Sequence, residues 1–147
     1  MADFPLFWKS IENQSSRILG LQNTHLLNLT ANEWGELEVV FKAIRVMQSS
    51  TYLVGHSKVL AHLLPSIVSP IDRYYTLQHL RGNTSLPNDI DKEWKIFKAI
   101  HQDFVAAVAQ STEFQRRANE WSGQQDDFPW DTSIPKIIDN LVIGASS

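Results

Sequence analysis

The chain has 147 residues, 43% of them hydrophobic, with five tryptophans, no cysteine and a net charge of −3. That length fits one domain with a proper core, and the lack of cysteine excludes disulfides, zinc–thiolate sites and thiol nucleophiles. The charge makes no general case for nucleic acid, because the thirteen Lys and Arg are scattered and Arg116-Arg117 is the one adjacent pair.

Phe4, Phe7, Trp8, Ile11, Ile18 and Leu19 predict a first helix, with Pro5 in its first turn and Gly20 near its end. A less regular piece, Leu21 to Leu29, follows. Thr30-Ala31-Asn32-Glu33 then matches a capping box, in which hydroxyl and carboxylate satisfy orphan backbone donors. Beyond it Trp34, Leu37, Phe41, Ile44 and Met47, with Val40, form one apolar stripe, so a helix is expected over 31–49. A short helix from Ser57 to Leu64 presents Val59, Leu60, Leu63 and Leu64, and Pro65 stops it. Pro70 biases Ser69 away from helical geometry, which leaves 65–70 as a tight apolar connection. Asp72 is placed to cap a helix reaching Leu80, which Arg81-Gly82-Asn83 ends.

Residues 82–88, with Pro87, read as an exposed loop, and Asn88 or Asp89 caps a long helix over 89–121. Ile90, Trp94, Phe97, Phe104, Val105 and Val108 supply its stripe, with Ser111-Thr112 as a place to bend or split. An acidic loop over 122–133 leads to a short amphipathic helix over 134–143, begun by Ser133 and Pro135. No strand alternation is present. The expected fold is all-α: one domain over 1–147, a bundle of six or seven helices of unequal length. Its expected core is Trp34, Leu37, Phe41, Ile44, Leu60, Leu63, Leu64, Trp94, Phe97 and Phe104. Were most of these exposed in a single chain, a homodimer core would be the first explanation.

Met1 to Pro5 have neither a basic n-region nor an apolar h-region, so no signal peptide is expected. No stretch approaches the roughly 18 apolar residues of a membrane span. Asn28-Leu29-Thr30 and Asn83-Thr84-Ser85 match the glycosylation sequon, which matters only for a secreted chain. A cytoplasmic protein without membrane association or cofactor is the expectation.

Chemistry-bearing motifs are sparse. His56 and His62 are six apart and would face opposite ways on one helix, and no Glu-x-x-His or His-x-x-x-His spacing occurs, so no metal site is expected. Gly55-His56-Ser57-Lys58 lacks the closing glycine and preceding strand of a nucleophile elbow. The glycines are too dispersed for a phosphate-binding loop. Trp121, Phe128 and Trp130 flank an acidic loop and could anchor a protein partner, or fold back onto the core.

Polar groups interrupt the helical pattern densely only over Gly55 to Arg81, which holds three of the five histidines and a Lys58/Asp72 pair across an apolar run. The plain reading is structural: two prolines shape a corner, and Asp72 caps the next helix and pairs with Arg73 or Lys58. Gly55-x-x-Lys58, a leucine-rich helix and Pro70-Ile71-Asp72 also resemble part of the helix-hairpin-helix DNA glycosylase superfamily, over residues 55–73. The resemblance implies a Lys58 amine attacking an anomeric carbon, with Asp72 activating it or stabilising positive charge. It further implies Tyr74 or Tyr75 stacking on an extruded base, and a DNA phosphate held near Gly55. The segment departs from that pattern in its single hairpin glycine and in Arg73-Tyr74-Tyr75 after the aspartate.

Two function classes follow. One is a non-enzymatic binding or scaffold module whose most polar cleft is lined by Gly55, His56, His62, Arg73, Tyr74 and Tyr75. The other is a glycosylase- or lyase-like enzyme, or a reduced DNA-binding relative, that uses Lys58 and Asp72.

Overall fold

The computed structural model describes residues 3–46, 48, 51–122 and 132–145. The described residues are all-α, with helices of unequal length and no strands. In chain order they are α1 (Phe4–Glu12), α2 (Ser15–Leu21), a 3₁₀ turn (Leu26–Asn28), α3 (Ala31–Ala43) and α4 (Leu53–Leu63). A π-helical turn (Arg73–Leu77) then runs directly into α5 (Gln78–Arg81). Next, α6 (Ile90–Ala99) continues through a second π-helical segment (Ile100–Val105) into α7 (Ala106–Gln110), and α8 (Thr112–Ser122) and α9 (Ile134–Ala145) follow.

Several termini sit where local chemistry puts them. The capping box forms in full: Thr30 Oγ1 accepts from the Glu33 N–H at 3.3 Å, and Glu33 Oε2 accepts from the Thr30 N–H at 2.8 Å. Asp89 accepts from the Lys92 N–H at 2.9 Å to open α6. Gly82 takes a left-handed φ of 69° to end α5, a conformation that costs glycine little. Ser111 breaks the expected 89–121 helix with an extended ψ of 130°, and its Oγ accepts from the Phe114 N–H at 3.1 Å to start α8.

Other boundaries are set across the fold. The first predicted helix divides at Asn13-Gln14 into α1 and α2. The helix expected over 31–49 ends at Ala43, where Ile44 turns extended yet stays buried, and the Arg45 N–H donates to Ser10 Oγ of α1 at 2.9 Å. Met47, expected to extend that stripe, lies outside the described residues, as does the acidic loop from 123 to 131. Helix α4 starts four residues earlier than Ser57. Its first N–H groups, Tyr52 and Leu53, donate to Glu93 Oε2 of α6 at 2.7 and 2.6 Å. This carboxylate, wholly buried, takes the place of a local cap.

One core cluster runs through the helices. Phe41 lies at its centre, with ring centroids 5.0 Å from Phe97, 5.2 Å from His56 and 5.4 Å from Trp94. Tilted and edge-on ring contacts at these spacings add to area burial. Of the expected core, Trp34, Leu37, Phe41, Ile44, Leu60, Leu64, Trp94 and Phe97 are buried within the one chain, while Leu63 and Phe104 are only partly so. Phe4 and Trp8, which helped predict the first helix, stack on each other and remain more than half exposed. Among the described residues no helix is long and apolar enough to cross a membrane.

Candidate functional site

Beside the 65–72 corner lies a cleft of about 580 Å³, within the size range of small-molecule sites. Its first wall comes from α4, where Lys58, Ala61 and His62 recur at three- and four-residue spacing and so share a face. The corner supplies Pro65, Val68, Pro70 and Ile71 as an apolar floor, with Asp72 and Tyr75 at its rim. The opposing wall is α9, which presents Lys136, Asp139 and Ile143, again on one face, preceded by Thr132 and Ser133.

Hydrogen bonds hold the corner in place from three directions. Ser57 Oγ on α4 accepts from the Ile71 N–H at 3.0 Å. The Ser69 N–H donates to His101 Nε2 at 3.0 Å, and Ser69 Oγ donates to the Pro135 carbonyl at 3.1 Å, joining the corner to α9. His101 sits in the second π-helical segment and donates from Nδ1 to the Phe97 carbonyl at 2.8 Å, which fixes the neutral tautomer. Burial pushes this imidazole down to about 4.

Asp72 serves two roles at once. Its Oδ1 accepts from the Tyr74 and Tyr75 N–H groups at 2.9 and 3.4 Å, capping the first π-helical turn, while the Asp72 N–H donates to Thr76 Oγ1 at 3.1 Å. The Leu77 N–H reaches back to the Asp72 carbonyl at 2.9 Å, one residue further than in an α-helix, which gives the turn its wider winding. Asp72 Oδ2 meanwhile accepts from Lys58 Nζ at 3.2 Å. Burial works to raise this carboxyl, but the Tyr74 N–H, Lys58 and the Tyr75 N–H together hold it below its ordinary value. A second Lys–Asp pair faces the same cleft: Lys136 Nζ donates at 2.7 Å to Asp139 Oδ2, whose side chain is 6% exposed.

Of the residues singled out from sequence, Lys58, His62, Asp72 and Tyr75 come together in this cleft. Gly55, His56, Arg73 and Tyr74 are not among its lining residues. Gly55 lies inside α4, since the helix begins two residues before it. His56 instead belongs to the core: it is 1% exposed, hydrogen-bonded from Nδ1 to the Phe41 carbonyl at 2.8 Å, and pushed down to about 4 by burial. Arg73 opens the π-helical turn and Tyr74 points out, 77% exposed. The phosphate expected at a helix start near Gly55 has no helix start there, because α4 begins at Leu53, where the Tyr52 and Leu53 N–H groups donate to Glu93. Trp121 packs partly buried against the core, and Phe128 and Trp130 lie outside the described residues.

Sequence reasoning missed Lys136, Asp139, Ser69 and His101. The signal for the first two was faint but present: Asp139 interrupts the apolar run Ile137-Ile138-Asp139-Asn140-Leu141 three residues after a lysine. Among the described residues no three His, Asp or Glu side chains gather in a metal-binding group. Comparisons with family models, curated proteins and solved structures give no match to the chain.

Proposed function

We propose that the chain is a non-enzymatic binding module whose ligand site is the cleft between α4, the 65–72 corner and α9. The observation that carries this reading is the convergence on one apolar-floored cleft of two Lys–Asp pairs brought from separate parts of the chain. Ligand sites combine a mostly apolar lining with a few placed polar groups, and this cleft has that composition. Each lysine is matched by an aspartate, so these four groups give the cleft no net positive charge with which to hold a nucleic-acid backbone. A fragment screen read by amide NMR shifts tests the proposal. Perturbations clustering on Ala61, Val68, Ile71 and Ile143, and abolished by the cleft-filling Ala61→Trp, are expected; hits scattered elsewhere, or none, would overturn it.

A second reading, lyase-like chemistry, is favoured by one observation: Lys58 and Asp72 lie 3.2 Å apart and line a common cleft. Against it, an amine nucleophile needs a neutral nitrogen, produced by desolvation or a cationic neighbour. Lys58 is instead half exposed and ion-paired. Borohydride trapping on abasic DNA decides this reading, which requires a covalent adduct that Lys58→Ala abolishes.

A further inference from the structure

We infer that the cleft's ligand is a small apolar molecule ending in a carboxylate, its acid group received by the ammonium groups of Lys58 and Lys136. This rests on the cleft being a binding site, and it names the chemistry of what binds there.

The inference comes from accounting for donors and acceptors. On the acceptor side, the aspartates are committed. Asp72 already takes two backbone N–H groups and one ammonium, and Asp139 is buried against Lys136. On the donor side, each ammonium carries three N–H groups and gives one to its aspartate. Lys58 is 52% exposed and Lys136 35%, and both line the cleft, so neither side chain is enclosed by protein. A ligand that completes this site must therefore supply acceptor oxygens.

Charge and shape restrict it further. Two lysines against two aspartates leave the cleft with no net positive charge from these groups, which disfavours a polyanion and suits a single carboxylate bound through short, charge-assisted hydrogen bonds. Behind those donors lie Val68, Pro70, Ile71 and Ile143, with Tyr75 at the rim. Val68, Pro70, Ile71 and Ile143 offer no side-chain polar partner, so the part of the molecule lying against them is hydrocarbon. Its removal from water supplies a driving force proportional to the area covered.

Octanoate, octan-1-ol and octylamine share one chain and differ in the head group, so their binding to the full chain, followed by titration calorimetry and amide NMR below micellar concentration, isolates the carboxylate. Octanoate is expected to shift the cleft amides and to bind roughly tenfold tighter than the alcohol, the scale of one charge-assisted hydrogen bond. Lys58→Met, which keeps the alkyl stem, should weaken octanoate by about the same factor and leave the alcohol unchanged. Because Lys136→Met alone strands a buried carboxylate, the double variant Lys136→Met/Asp139→Asn removes the second ammonium without that defect, and the same loss is expected. Equal binding of all three probes, or octanoate binding indifferent to both variants, overturns the carboxylate assignment while leaving the cleft a binding site. Failure of all three to bind overturns it too, and the fragment screen then decides the binding reading separately.

Discussion

The Ser69 N–H points at the bare Nε2 of His101 from 3.0 Å, so a proton arriving on that nitrogen would set two donors face to face. This bond supports the corner that floors the cleft, and it makes the state of that ring one contributor to the fold's acid tolerance.

Acid should therefore destabilise the protein through its two buried histidines. His56 and His101 are both pushed by burial from 6.5 down to about 4. Between those values the unfolded chain binds more protons than the folded one, so stability is full above pH 6.5 and is lost progressively toward pH 4. Each ring accounts for about 3 kcal/mol across the window. Urea unfolding at pH 7, 5.5 and 4 should show the decline, and His101→Gln should reduce it by about half, leaving the His56 share; an unchanged slope would refute the assignment.

Asp72 separates two roles by substitution. Asparagine keeps an oxygen for the Tyr74 N–H, whereas alanine loses the cap, so Asp72→Ala should be less stable than Asp72→Asn by about 1 kcal/mol. The Lys58–Asp72 pair is partly solvent-exposed, and a double-mutant cycle on it should return a coupling of only about 0–1 kcal/mol. A coupling well above that would mean the pair is a structural anchor of the corner.

Glu93 closes the start of α4 from a distance. Glu93→Ala strands the buried Leu53 N–H and should cost about 1–3 kcal/mol, while Glu93→Gln keeps an acceptor oxygen and should cost less. Hydrogen exchange at Leu53 and His56 is the direct readout, and equal rates in the wild type and the alanine variant would contradict this role.

Ser57 makes a similar buried contact within the site. Its Oγ is the acceptor for the Ile71 N–H, so Ser57→Ala should destabilise by about 1–3 kcal/mol and loosen the corner. The same variant should weaken any cleft ligand, measured by titration calorimetry against a Ser66→Ala control outside the lining.

The sequence made the local chemistry legible: the Thr30/Glu33 capping box, Asp72 and Asp89 as caps, the break at Ser111, and the apolar stripe of α3 each depend on residues within a few positions. The all-α class followed from them. Features made by distant partners were not legible. Nothing near Leu53 announces a helix start, because the cap is Glu93, forty residues on. Nothing after Ala43 announces a stop, because Ser10 captures the Arg45 N–H. Half of the cleft was hidden for the same reason: Lys136 and Asp139 read as the polar side of an ordinary amphipathic helix until α9 is seen against the corner. His56 misled in the opposite sense, a polar residue whose partner is a core carbonyl.

The Ser69–Pro135 hydrogen bond spans 66 positions of chain, and it marks a seam between the two walls of the cleft. A cleft built across a seam exists only while α9 is seated. Any molecule that bridges both walls must then strengthen the seating of that helix, by an amount that grows with its concentration relative to its Kd. Occupancy would thus be written into the amide exchange of α9, far along the chain from Lys58, and a helix that detaches would discharge whatever the cleft holds.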